Sequence, residues 1–194
     1  MNVIRNIILL SSLSLIICCN SNKSTDSQKV TAKAAFVVFD TEEELAKSFL
    51  NSFAQHDTGM MKYLITNEAI TNAVTIVAKE NPDTSTTLAS QIDRAKKELT
   101  NKIIPAYKAA LKGLREMLTN DNVDLSTCTF KIDTVPSKKF KGSISIIKGG
   151  VSIDVITKEQ KHYRLKMYAF LRINNKWCIL GPKWEWQDQP VRDH

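Results

Sequence analysis

Two periods divide this chain. From Thr41 to Met117 apolar residues recur at intervals of three and four, and from Thr127 to Trp186 at every second position. The first spacing puts one apolar stripe on a helix; the second puts one apolar face on a strand. The pattern therefore predicts a single α+β domain over 38–188. Helices fall between 40 and 119, and a curved antiparallel β-meander between 127 and 186 packs against them.

Local signals sharpen the helical half. Thr41 and Glu44 match a T-x-x-E capping box, after which Leu45, Phe49, Leu50 and Phe53 share one face. That helix stops near His56. Asp57-Thr58-Gly59 restarts a short helix through Met60, Met61, Leu64 and Ile65. A third begins at Thr66 or Asn67, with Ile70, Ala73, Val74 and Val77 inward, and breaks at Asn81-Pro82. Asp83-Thr84-Ser85 supplies further N-cap candidates. Over 84–119, Leu88, Ile92, Ala95, Leu99, Ile103, Tyr107, Ala110, Leu114 and Met117 mark one extra long helix or two. Pro105 lacks an N–H and crowds the carbonyl of Asn101, so a kink or break is expected there. Arg94, Lys97, Lys102, Lys108, Lys112 and Arg115 occupy the opposite face. A solvated face explains them most simply; the sharper alternative is a docking face for an acidic partner.

In the sheet half, Cys128, Phe130 and Ile132 alternate with polar residues until Pro136 ends the strand. Gly149-Gly150 predicts a two-residue hairpin turn that sets Lys148 opposite Val151, Ile146 opposite Ile153 and Ile144 opposite Val155. Asn174-Asn175 predicts a second, pairing Ile173 with Lys176 and Leu171 with Cys178, and setting Ala169 against Leu180. Tyr163, Leu165, Met167, Ala169, Leu171, Cys178 and Leu180 then share one face; Phe170, Arg172, Trp177 and Ile179 share the other. Arg172 opposite Trp177 suits a cation–π stack. Carrying the apolar face from Val155 to Tyr163 or Leu165 needs even index sums, hence an odd-length loop near Glu159-Gln160-Lys161. A bulge at Gly181-Pro182 would return Trp184 and Trp186 to the face of Trp177. Residues 189–194 form a tail.

Composition adds an address. The chain has 194 residues, 43% hydrophobic and 24% charged, which suits one domain with appendages. The net charge is +7, one unit of it on Arg5, and favours acidic surfaces such as anionic headgroups. No block of five like charges occurs, so nucleic acid is not an expected partner. Residues 1–19 carry Arg5, an apolar run from Ile7 to Ile17, and Cys18-Cys19. The run has signal-peptide length and is too short for a bilayer span. It resembles the lipobox of bacterial lipoproteins, in which a cysteine is lipidated after cleavage. Cys19 fits better than Cys18, because small Cys18 precedes it and Ile16 takes the apolar position; an uncleaved anchor is the alternative. Residues 20–37, rich in Ser, Thr, Asn and Lys at their start, read as a disordered tether. The expected location is the bacterial cell envelope, with the lipid as the membrane contact.

Thr41 to Leu50, the Asp57 to Thr66 restart and Asn174-Asn175-Lys176-Trp177-Cys178-Ile179 carry a resemblance to the nuclear-transport-factor-2-like (cystatin-like, SnoaL-like) superfamily. It covers 38–66 and 127–186. It implies a cone-like sheet wrapped on helices, a cavity in many members, and dimers through the sheet. Members include enzymes, binding modules and accessory domains.

Catalytic signatures are missing. There is no G-x-S-x-G, G-x-x-x-x-G-K-[ST], H-E-x-x-H or C-x-x-C, and His56, His162 and His194 have no partner at ligand spacing. No catalytic residue, metal or cofactor is therefore expected. His56-Asp57 reads as a helix end followed by a cap, and alternatively as an acid/base pair at a cavity mouth together with Tyr168. Cys128 and Cys178 lie on the apolar parity of their strands and are either buried thiols or a disulfide. Tyr168, Phe170, Arg172, Trp177, Trp184 and Trp186 are candidates for a ligand or partner surface; core or dimer interface is the plainer reading of such aromatics. Three roles follow: a non-catalytic binding or interaction domain for a small apolar ligand or envelope protein, a SnoaL-like enzyme, or a structural homodimer.

Overall fold

A computed structural model describes residues 36–81 and 86–189. Cys18 and Cys19, expected as lipidation candidates, the 20–35 part of the expected tether, the N-cap candidates Asp83-Thr84-Ser85 and residues 190–194 lie outside the described residues. The helices are α1 (Glu42–Ala54), a 3-10 turn (Met60–Tyr63), α2 (Asn67–Glu80), α3 (Leu88–Glu98) and α4 (Ile104–Asn120). The strands are β1 (Thr129–Thr134), β2 (Lys138–Lys139), β3 (Ile147–Ile156), β4 (His162–Ile173), β5 (Lys176–Ile179) and β6 (Trp184–Gln189). Together they form helices packed on one curled antiparallel sheet.

The α1 capping box is complete: Thr41 Oγ1 accepts from the Glu44 N–H, and Glu44 accepts from the Thr41 N–H. Thr66 caps α2 and Thr87 caps α3. Pro105 does not break the long helix. A π turn over Leu99–Ile103 joins α3 to α4, and Pro105 falls in the first turn of α4. Widening the helix before a proline relieves its clash with the carbonyl of the preceding turn. Leu99, Tyr107, Leu111, Leu114 and Leu118 form the buried stripe, Leu111 taking the place expected for Ala110.

The sheet is four strand tracks wide. β3 and β4 run down its middle; β1 and β2 share the outer edge of β3, and β5 and β6 share the outer edge of β4. Every track bends at one level. β1 and β2 are separated around Pro136, and β5 and β6 around Gly181-Pro182. In the middle, Gly150 of β3 faces two residues of β4, Tyr168 and Ala169, since Gly149 pairs with Phe170 and Val151 with Met167. This is a β-bulge on β4. The bend divides the sheet into a lower arm (β1, β6 and the facing parts of β3 and β4) and an upper arm (β2, β5 and the rest).

Gly149-Gly150 is thus not a hairpin turn, and the expected pairing of Lys148 with Val151 is wrong. The hairpin lies earlier: Lys138 pairs with Lys148 and Lys139 with Ile147, around the connection 140–146. The glycines serve close packing. A Cβ on Gly150 would sit 2.3 Å from the Met167 carbonyl oxygen, and one on Gly149 would sit 1.8 Å from Glu42 Oε1. The remaining register follows the sequence reading. Val155 pairs with Tyr163 and Ile153 with Leu165, all even sums. Thr157 N–H bonds the Lys161 carbonyl across a three-residue loop. Asn174 and Asn175, at φ 50° and 61°, make the two-residue turn, with Ile173 opposite Lys176 and Leu171 opposite Cys178. β6 extends to Gln189, past the expected end of the sheet.

The bulge also corrects the face assignment. Its extra residue inverts parity, so Phe170, Arg172, Trp177 and Ile179 continue the face of Tyr163, Leu165 and Met167. Trp184 and Trp186 sit opposite Met167 and Leu165 on that same face. α1 lies over it, with Glu42 beside Gly149 and Phe49 edge-on to Trp184. Leu171, Ile173 and Cys178 on the other face are buried as well.

Candidate functional site

The hairpin aromatics build the interior. Phe170 is fully buried, and Trp177 and Trp186 are nearly so. Phe49 and Tyr107 both meet the Trp184 ring edge-on, at 5.3 and 5.6 Å between centroids. Trp186 stacks on Tyr163 at 5.0 Å and donates its Nε1–H to Asp121 at 2.7 Å. Side chains of α1, the 3-10 turn and α4 therefore fill the space against the sheet. Arg172 lies opposite Trp177 in register, yet no cation–π contact joins them among the described residues. Its guanidinium instead acts on Glu42. That carboxylate is buried and accepts the Gly150 N–H at 2.8 Å. Burial pushes the Glu42 carboxyl above its ordinary range, while the Gly150 bond and Arg172 pull the other way. A buried acid whose oxygen holds a bulge in place is a structural element of the bend.

His56 and Asp57 are likewise occupied by structure. His56 has φ 55°, the left-handed position that ends a helix. Asp57 Oδ1 accepts the Gly59 N–H at 2.6 Å, and Oδ2 pairs with Lys62 Nζ at 2.7 Å. The Lys62 ammonium and the Gly59 N–H hold the Asp57 carboxyl below its usual range, which makes it a weak base. Tyr168 sits in the bulge near Glu185, with Lys183 over its ring. No hydrogen bond or ion pair joins Tyr168 to His56 or Asp57 among the described residues.

Cys128 and Cys178 are free thiols. Cys128 stands just before β1 and Cys178 in β5, with β3 and β4 between those edges. Three strand spacings make ~14 Å, well beyond disulfide reach. Burial pushes the Cys178 thiol up to about 12 and raises that of Cys128. No group of three His, Cys, Asp or Glu side chains suited to a metal occurs among the described residues. No described helix is long and apolar enough to cross a membrane.

The β2–β3 hairpin is the feature that sequence reasoning missed. Lys138, Lys139 and Lys141 are exposed around half-buried Phe140, and the fold adds exposed Lys148 and Lys183. Lys138 and Lys148 are direct cross-strand partners, a like-charge pairing that opposes folding. Lys148 lies over the Phe140 ring at 4.5 Å; partial burial and then Lys183 push its ammonium below its ordinary range. The hairpin end is anchored. Both carboxylate oxygens of Glu80, at the end of α2, accept from Ser143 and Ser145, and Glu80 also takes the Ile144 N–H at 3.0 Å. Between those serines Ile144 stands 72% exposed, the most exposed large apolar side chain described. The signal available in the sequence was KKFK, too short to count as a charge block. Comparison with known proteins finds no matching family model, no matching curated protein and no matching solved structure.

Proposed function

We propose that this is a bacterial cell-envelope lipoprotein whose single domain is a non-catalytic interaction module, built in the nuclear-transport-factor-2-like manner. The observation that carries the reading is the order of parts: an apolar leader, Cys18-Cys19, a polar stretch, and then a domain whose first described residue is Phe36. A cysteine at the end of such a leader is where lipid attachment places a membrane anchor. The packed space between α1 and the sheet, and the tying of Asp57 to Lys62, favour the non-catalytic reading over a SnoaL-like enzyme. Radiolabelled palmitate fed to cells expressing the full chain tests the anchor. Label is expected on the wild type and on Cys18→Ala, and is expected to be lost on Cys19→Ala. A chain that takes up no label in any of the three overturns the reading.

A further inference from the structure

We infer that the β2–β3 hairpin, through Lys138, Lys139, Lys141 and Ile144, seats the upper arm of the sheet on an anionic lipid surface. The inference rests on the anchored reading only for proximity to a membrane. Three observations carry it.

The first is composition. Exposed lysines flanking an exposed isoleucine combine headgroup attraction with a short apolar insertion. Acids beside the cluster are Glu80, held by Ser143 and Ser145, Glu185 beside Tyr168, and Glu42, buried on the Gly150 N–H. Against them stand Lys138, Lys139, Lys141, Lys148 and Lys183, so the cluster stays positive.

The second is polarity of the whole domain. At the far end of the lower arm, Asp121, Asp188 and Glu159 surround Tyr163 closely enough to act on its hydroxyl. Asp124 lies near His56, Lys158 and the Ser126 N–H that it accepts. The two ends of the sheet therefore differ in the sign of their carboxylate-to-lysine balance. An anionic surface attracts the hairpin end and repels the other.

The third is where the chain arrives. Phe39 pairs with Trp177, Trp177 with Arg172, Arg172 with Ile147 and Ile147 with Lys139. This is one lateral row across the upper arm, ~19 Å long at the usual strand spacing. Phe39 thus stands in the same row as the hairpin, at the opposite edge of the sheet, and the described chain before it runs back past Val37, whose N–H bonds the Lys62 carbonyl, to Phe36. The turn at 158–160 lies about 30 Å away along β3.

The test reads each lysine separately. The full chain, purified with its anchor, is mixed with phosphatidylcholine vesicles or with vesicles that also contain phosphatidylglycerol. It is then treated with an amine-acylating reagent and mapped by mass spectrometry. Acylation of Lys138, Lys139 and Lys141 is expected to fall ~5-fold or more on the anionic vesicles, with Lys158 and Lys161 unchanged and the effect reversed by high salt. A triple variant, Lys138→Glu, Lys139→Glu and Lys141→Glu, is expected to lose the composition dependence as read at Lys148. Equal rates on both vesicles, or equal protection of Lys158 and Lys161, overturn the inference. So does protection by soluble polyphosphate with none by vesicles. A chain that fails to sediment with phosphatidylcholine vesicles counts against the anchor alone, because the anionic arm still reads the hairpin.

Discussion

The two arms of the sheet obey different rules. In the lower arm burial alternates strictly: Val151, Ile153 and Val155 are buried while Ser152, Asp154 and Ile156 are not, and Tyr163, Leu165 and Met167 alternate with Arg164 and Lys166. In the upper arm alternation fails. Phe170 and Leu171 are buried consecutively, as are Trp177, Cys178 and Ile179. One sheet thus changes from one-sided to two-sided burial over the width of the bulge. The lower arm behaves as an amphipathic sheet facing water, and the β4–β5 part of the upper arm as the centre of a layered core, while β2 and Lys148 at its edge stay exposed. What separates them is a row of residues unsuited to regular strand: Pro136, Gly149-Gly150, the Tyr168–Ala169 bulge and Gly181-Pro182.

Breaking that row is the most damaging change we foresee. Gly150→Ala places a methyl 2.3 Å from the Met167 carbonyl oxygen and 2.8 Å from the Tyr168 Cα. Both are backbone atoms, so no rotamer relieves the clash. The expected loss is on the order of 3 kcal/mol or more, read as a fall in the denaturation midpoint or as insoluble expression. Gly113→Ala is the control. Nothing lies within 4 Å of its Cβ, and it stands inside α4, so the protein should gain ~0.5–1 kcal/mol. Equal outcomes for the two variants would mean the bulge is not where we place it.

The contrast between the arms is tested next at positions that face the same way in parity terms. Leu171→Ala removes a buried side chain from the outer face of the upper arm and should cost ~2–5 kcal/mol. Ser152→Ala alters the outer face of the lower arm and should stay within ~0.5 kcal/mol. Chemical denaturation at constant m-value measures both. A Leu171→Ala cost as small as that of Ser152→Ala would dissolve the distinction between one-sided and two-sided burial.

The same contrast explains what the sequence could disclose. In the lower arm the core is set by period two, and parity alone gave the even index sums that Val155 and Tyr163 satisfy, and the odd loop. The Asn174-Asn175 turn and the Thr41 capping box are complete within a few residues, so both were readable. Gly149-Gly150 was not. A two-residue turn and a strand crossing close beside another backbone both call for glycine, and only the distant Met167 carbonyl and Glu42 carboxylate decide between them. The bulge carries no local signature at Tyr168–Ala169, yet it inverts the parity of everything above it. That is why Phe170 and Trp177 read as lying on the face opposite Tyr163 and Leu165, and share that face instead. The lysine cluster was half readable: Lys138, Lys139 and Lys141 adjoin in sequence, while Lys148 joins through the hairpin and Lys183 through the break between β5 and β6.

Glu42 permits the finest test, because it ties α1 to the bend by one hydrogen bond. Its carboxyl is raised by burial, so the folded state binds the proton more tightly than the unfolded chain does. Linkage fixes the sign. The stabilisation is fully present below the unfolded value of the carboxyl, and it is lost as pH rises through the higher folded value. Glu42→Gln keeps an oxygen that can accept the Gly150 N–H but carries no charge to bury. The variant should therefore match the wild type most closely in mild acid and gain on it toward neutral pH. Arg172 limits that gain, since its attraction to the ionised carboxylate is lost with the charge. Urea midpoints of both proteins across that interval measure the effect. A difference that does not change with pH would mean that Glu42 titrates as it would in water, and that the upper arm is open to solvent at the bend.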